Sequence, residues 1–280
     1  MGDRAFYRHY LLLAVPMILQ NAITNLVSFL DNIMVGQLGT EQMSGVAIVN
    51  QLIFVYNLAI FGAVSAASIF GAQYFGNGDH RGHMHSFRFK LYATLLVSGL
   101  TMLLLLTKGS DLISLYLTDT AGNGATDVAL QYGKQYLVIM LVGLVPFAVN
   151  QAYATNIKET GQTLVPMLAS FVAVGTNAVL DYLMIFGVEP FPELGVTGAA
   201  LATVIARYVE AVIVVLWAHR NREKNRYLEG AYRGFGIPMS ELKTILIKGL
   251  PLMFNEVLWA AGMTTVTQCY SVRGLDVVAG

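Results

Sequence analysis

Long apolar runs alternate with short polar breaks along the 280 residues. A window of about 19 residues, the length suited to a bilayer-crossing helix, predicts seven spans. They lie at roughly 10–35, 47–75, 88–107, 129–154, 163–186, 196–218 and 245–271. At about 1.5 Å per helical residue the first run crosses a hydrocarbon core of roughly 30 Å. Within it, Pro16 to Gly39 carries a proline, amides and the carboxylate of Asp31. An ionised Asp in the middle of a membrane helix costs on the order of 2.5–3.5 kcal/mol and is normally turned toward protein or water, so Asp31 is the first functional candidate.

The breaks organise the spans. Gly76-Asn77-Gly78-Asp79 reads as a turn, Thr107 to Thr126 as a polar loop, and Pro190 and Pro192 beside Glu189 and Glu193 as a short acidic turn. His219 to Lys248 is the longest basic stretch and a predicted lobe boundary, with the amphipathic segment Ile237 to Lys248 placed along the membrane surface. With the N-terminus inside, 13 Lys and Arg fall in inner segments and 3 in outer ones, with Arg207 left in a span; positive-inside bias therefore favours a cytoplasmic N-terminus.

A partial repeat reinforces that boundary. Counting from Pro16 the chain meets Gly39 at +23, Glu41 at +25 and Gly45 at +29; from Pro251 it meets Gly274, Asp276 and Gly280 at the same offsets. Span 7 thus reads as a second copy of span 1, in which Val266 stands where Asp31 would. The predicted fold is an all-α polytopic membrane protein: a six-helix transmembrane lobe, a basic linker and a seventh helix beginning a second, pseudo-repeated lobe. In residue numbers this is 1–218, 219–244 and 245–280, with nearly all of the second lobe expected to be missing from these 280 residues.

Composition narrows the chemistry. The chain is 55% hydrophobic and 12% charged, with a mean hydropathy of +0.58, far from an ordinary soluble domain. Zero net charge gives no reason to expect a nucleic-acid partner. Cys269 is the single cysteine, so no intramolecular disulfide forms and no Cys/His set has metal-site spacing. Arg4 and Arg8 precede the first apolar run as in a signal peptide, but the run is too long and lacks a small-residue cleavage site; it reads as a retained helix.

Polar residues inside spans are the remaining candidates. Asn177 and Asp181 share a helical face in span 5. Asp31 and Asp181 stand 5 and 6 residues below the outer ends of their helices at Gly36 and Gly187, and Thr203 is at similar depth in span 6. Two carboxylates, an amide and a hydroxyl at one depth can hold a small cation such as Na+, or a proton shared between carboxylates. The alternative is a pair of interfacial carboxylates that reach water. Arg207 and Glu210 are three apart, spacing for a structural ion pair or a snorkelling Arg rather than a ligand site. Glu256 follows Pro251 by five residues, as Asn21 follows Pro16, and has no helical partner of opposite charge; functional and structural readings stay open for it. His80, His83 and His85 read as a solvated basic turn rather than a metal site, and Tyr56, Phe61, Tyr153 and Met184 as packing groups or the wall of an apolar cavity.

Several of these residues form an ordered set. Asp31-Asn32-Ile33-Met34-Val35-Gly36-Gln37-Leu38-Gly39 resembles the D-x-x-M-V-G-x-L-G motif that ends the first helix of multidrug and toxic compound extrusion (MATE) transporters. The Pro16 to Asp31 interval, Asn177-x-x-x-Asp181, Thr163-Leu164-Val165-Pro166-Met167, Gly198 to Thr203 and Pro251 to Glu256 extend the resemblance across nearly the whole chain. It implies a twelve-helix, two-lobed transporter with a V-shaped cavity. Asp31, Asn177 and Asp181, with Thr203, would form a cation site, Pro16 a hinge in helix 1, and Glu256 the acidic residue of helix 7. The implied activity is antiport of organic, cationic amphipathic drugs against H+ or Na+ across the plasma membrane, with no cofactor and no enzymatic step. The partners implied are small-molecule drugs and the lipid bilayer.

A lipid-linked saccharide flippase of related fold is the alternative, and it calls for a cationic cavity. The four intramembrane acids Asp31, Asp181, Glu210 and Glu256 against the single base Arg207 oppose it. A seven-helix receptor needs its N-terminus outside, against the charge bias. An intramembrane enzyme would need a His or a Ser/Lys pair at the depth of the carboxylates.

Overall fold

A computed structural model describes residues 4–117, 125–234 and 236–271. Among them the chain is helical: α1 (Arg4–Gly36), α2 (Thr40–Gly76), α3 (His80–Ser114), α4 (Ala125–Val142), α5 (Leu144–Glu159), α6 (Leu164–Phe186), α7 (Val196–Arg220) and α8 (Met239–Ser271). A single 3-10 turn, Arg226–Leu228, interrupts the segment between α7 and α8. The molecule is a multi-pass membrane protein. Helices α1, α2, α3, α6 and α7 are each long and apolar enough to cross a bilayer, and α4 with α5 makes a sixth span broken by a 44° bend. Helix α8 covers the expected seventh span.

The helices are longer than the apolar runs that predicted them. Helix α2 begins at Thr40 rather than near 47, and α3 begins at His80, where the Asp79 side chain accepts the Gly82 N–H at 3.0 Å and so caps the first turn. Apolar length marks only what lies in hydrocarbon; a helix continues beyond it while its backbone groups stay bonded and packed. The expected surface helix at Ile237–Lys248 is instead the first part of α8, which starts at Met239 and runs on through Pro251.

Span 4 departs from the continuous helix that its hydropathy suggests. Proline at 146 has no N–H to offer the carbonyl of Val142 four residues back, and the helix breaks at Gly143. Side chains meet the carbonyls at the break. Tyr56 donates to the Leu144 carbonyl at 2.8 Å, the Arg207 guanidinium to that of Gly143 at 3.4 Å, and the Tyr208 hydroxyl reaches that of Val142 at 3.5 Å.

Packing brings α1 against α6, α6 against α7, and α2 against α3, α4 and α8, while α7 also covers α4 and α5. The main core joins Val49, Ile53 and Tyr56 of α2 to Met140, Leu144 and Ala148 of the broken span and Ala200 of α7. Close helix approach needs the smallest residue at the crossing points. A Cβ on Gly198 would lie 2.6 Å from the Met184 carbonyl oxygen, and one on Gly45 2.5 Å from that of Ala129. The first contact sets α7 on α6, and with them the relative positions of Thr203 and Asp181.

The basic linker is fastened to the bundle. Arg88 of α3 donates to the backbone carbonyls of Ala231, Gly236 and Gly230 at 2.8, 2.8 and 2.7 Å. Beside it, His83 is 2% exposed and lies 3.3 Å from Glu159, which also bonds the fully buried Lys90. His85 pairs with Glu241 at 2.8 Å. Two of the three histidines are therefore not in a solvated turn: His83 and His85 sit on the first turns of α3, held by carboxylates 76 and 156 residues away in sequence, while His80 is exposed beside Arg226. Among the described residues no group of three or more His, Cys, Asp or Glu could hold a metal ion.

Candidate functional site

Three helices deliver the intramembrane polar residues to one place. Asp31 comes from the last two turns of α1, Asn177 and Asp181 from one face of α6, and Thr203 from the second turn of α7. Asp31 and Asp181 are within reach of each other across the α1–α6 contact. Asp181 is fully buried, Asn177 is 5% exposed, and Asp31 is half-buried.

The electrostatics of this group are unbalanced. Both Asp181 oxygens are buried with no hydrogen-bond partner among the described residues. Asn177 adjoins Asp181, yet its Nδ2 meets no acceptor in bonding geometry. Two carboxylates are both acceptors, so their approach makes no bond until a proton or cation lies between them. Leaving a buried amide unpaired costs about 1–3 kcal/mol, and an uncompensated buried charge costs several more. A proton or cation between the carboxylates would offset the charge part of that cost.

Two cavities open on this group. One, of about 460 Å3, is walled by Asp31, Asn50, Gln51, Asn57, Tyr136 and Arg207 among others, and the second, of about 230 Å3, extends along α1, α6 and α7. Asp31, Asn57, Thr203 and Arg207 line both. Asp181 lines neither, although Asp31 and Asn177 beside it do line the second.

Asn57 is a site residue that the sequence reading missed. Its Oδ1 is buried without a partner at the meeting of the two cavities. One α-helical face of α2 carries Asn50, which accepts from the Tyr136 hydroxyl at 3.2 Å, and Asn57 seven residues on. Amides in so apolar a run were the available signal.

Other expectations shift. Arg207 and Glu210 make no ion pair among the described residues. The Arg207 guanidinium bonds Gly143 and lies 5.1 Å from the Phe147 ring centroid, because the broken span supplies a free carbonyl and a ring face that a three-residue spacing cannot reveal. Neither cavity touches Tyr56, Phe61, Tyr153 or Met184: Tyr56 is bonded to Leu144 and Ser98, Tyr153 to Tyr232, Met184 packs on Gly198, and Phe61 is 59% exposed. Pro16 is buried inside α1, which continues through it. The Glu256 side chain and residues 274, 276 and 280 of the repeat lie outside the described residues.

Known proteins share this fold. The MatE family model matches residues 16–183. A probable multidrug resistance protein NorM of Thermotoga maritima is 27% identical over 270 residues, covering 96% of this chain and 55% of the relative. That of Rhizobium meliloti is 30% identical, covering 79% of this chain and 46% of the relative. The chain spans about half the length of the curated relatives it matches. Among solved structures, the outward-facing conformation of a multidrug resistance MATE transporter of the MOP superfamily aligns with a TM-score of 0.79 at 22% identity, over 97% of this chain and 58% of that one. The inward-facing conformation aligns at 0.74 and 23% identity, over 97% and 59%.

Proposed function

Because the chain belongs to the multidrug and toxic compound extrusion family, we propose that its six-span portion, residues 1–218, is a lobe of a secondary antiporter that exports organic compounds against an inward flow of H+ or Na+. The observation that carries this reading is the buried, unpartnered Asp181 carboxylate beside Asp31, with the unpartnered Asn177 amide next to it and cavities lined by Asp31 and Asn177. Asp31, Asn177, Asp181 and Thr203 supply only oxygen ligands and an amide, a donor set suited to a proton or a small hard cation.

Mechanistically, the site favours one charge compensator at a time. A cationic amphipathic compound in the larger cavity is held by the ionised Asp31 against Phe54, Ile53 and Met140. Arrival of the coupling cation neutralises the carboxylate pair, removes that attraction and lets α1 draw onto α6. Pro16 makes α1 the helix that bends, since its ring leaves the Leu12 carbonyl without the usual intrahelical donor. Coupling is then competition for the carboxylates joined to two packings of one helix. The basic linker and N-terminus face the cytoplasm of a plasma-membrane protein.

The flippase alternative receives no support from the cavity wall, where one base, Arg207, stands opposite one acid, Asp31. The test is Asp31→Asn in the protein as its gene encodes it. Cells carrying it are expected to lose resistance to lipophilic cations while the variant inserts and accumulates normally; undiminished resistance sinks the assignment.

A further inference from the structure

Below the carboxylate pair the same three helices carry a second polar layer. In α1, Gln20, Thr24 and Asp31 are spaced i, i+4, i+11; in α6, Ser170, Asn177 and Asp181 are spaced i, i+7, i+11; in α7, Thr203, Arg207 and Glu210 are spaced i, i+4, i+7. These intervals keep each set on one helical face. The lower members are joined: Gln20 Nε2 donates to Ser170 Oγ at 2.6 Å, and Ser170 Oγ donates to Glu210 Oε1 at 2.5 Å. Eleven residues separate Gln20 from Asp31 and Ser170 from Asp181, roughly 16 Å along each helix.

The cavity of about 230 Å3 connects the layers, with Asp31 and Asn177 in the upper one, Ser170 and Glu210 in the lower one, and Thr24 and Arg207 along the wall. It has room for several waters, each taking about 30 Å3 of liquid volume. The unpartnered Asn177 amide, 5% exposed, lines it. Glu210 makes no ion pair among the described residues, but the charges of Arg207 on its own helix and Lys158 of α5 act on it. It is a carboxylate held by the Ser170 hydroxyl on the wall of this cavity.

We propose that Glu210 is a second acceptor for the coupling cation, one step inward from Asp31 and Asp181, on a route formed by α1, α6 and α7. This rests on the antiporter reading and extends it. For a proton, the O–H bond of a protonated Asp31 breaks, the proton crosses cavity water, and an O–H bond forms on the Glu210 carboxylate, leaving Asp31 ionised; Arg207 keeps its charge throughout. For sodium, the ion leaves the carboxylates of the upper layer for oxygens of Glu210 and Ser170. Either way the negative charge at Glu210 is neutralised, by a proton or by the adjacent ion, and with that the Ser170–Gln20 bonds that tie α1 to α6 one turn beyond Pro16 are perturbed.

The experiment reconstitutes the full gene product in proteoliposomes and follows ethidium efflux under a pH gradient and, separately, a sodium gradient, with ethidium affinity measured in detergent. Glu210→Gln is expected to bind ethidium as the parent does and to turn over roughly a hundredfold more slowly, the scale of losing a proton-transfer group. Glu210→Asp is expected to recover much of the rate. A deficit under the pH gradient alone identifies the proton; one under the sodium gradient alone identifies sodium. Parental turnover in both gradients overturns the proposal, as does a parallel loss of affinity and turnover that Glu210→Asp does not repair. Asp31→Asn is run alongside: if it keeps full turnover, the antiporter reading of the upper site fails whatever Glu210 does.

Discussion

Lys90, fully buried in α3, bonds the Glu159 carboxylate at the end of α5, and Glu159 also holds His83. The Asn156 side chain accepts from Lys90 as well, at 3.3 Å. Removing one member of such a pair strands a charge away from water. Glu159→Gln is expected to destabilise the bundle by about 3–5 kcal/mol, and the double change Lys90→Met, Glu159→Leu to recover much of the loss. Retention of monodisperse protein after graded heating in detergent measures both; equal stability of the single variant and parent contradicts the account.

Tyr56 is expected to support the break in the fourth span. Its hydroxyl donates to the Leu144 carbonyl at 2.8 Å and lies 2.8 Å from Ser98 Oγ, so Tyr56→Phe orphans a carbonyl and perturbs a hydroxyl at a cost of about 1–3 kcal/mol. The same heating assay reads it, with Phe61→Leu at a 59% exposed position as the neutral reference.

Fastening of the linker by Arg88 predicts a protease phenotype. Arg88→Ala removes three hydrogen bonds to linker carbonyls, so trypsin is expected to cut between Arg220 and Arg233 several times faster than in the parent. Cleavage in inside-out vesicles but not in intact cells would place this segment in the cytoplasm. Cleavage from outside intact cells would reverse the proposed orientation.

The helix crossing at Gly198 makes a further structural prediction. Any side chain there drives into the Met184 carbonyl, and Gly198→Val is expected to separate α7 from α6 and lower the yield of folded protein, read as the fraction eluting monodisperse. A yield equal to the parent's contradicts the tight crossing.

Much of this architecture was legible because a bilayer imposes one length on every span and penalises polar groups within it. That is why the runs at 10–35, 163–186 and 196–218 anticipated α1, α6 and α7, and why Asp31, Asn177, Asp181 and Thr203 stood out. Other features depend on contacts between distant residues. The spacing of Arg207 and Glu210 permits an ion pair, but where Arg207 goes is decided by the carbonyl freed at Gly143, and Glu210 finds Ser170 forty residues earlier. His83 is buried because Glu159 arrives from another helix. Pro146 did mark the break in span 4, a local signal outweighed by the continuous hydropathy around it.

Replacing charge at the carboxylate pair tests the central claim. In proteoliposomes holding the full gene product, an imposed proton or sodium gradient is expected to drive ethidium efflux, and ethidium binding to displace the same cation from the protein. Asp31→Asn and Asp181→Asn are each expected to abolish both gradient-driven efflux and cation displacement in correctly inserted protein. Cation displacement and efflux at parental rates in either variant would contradict the assignment of Asp31, Asn177 and Asp181 as the coupling site.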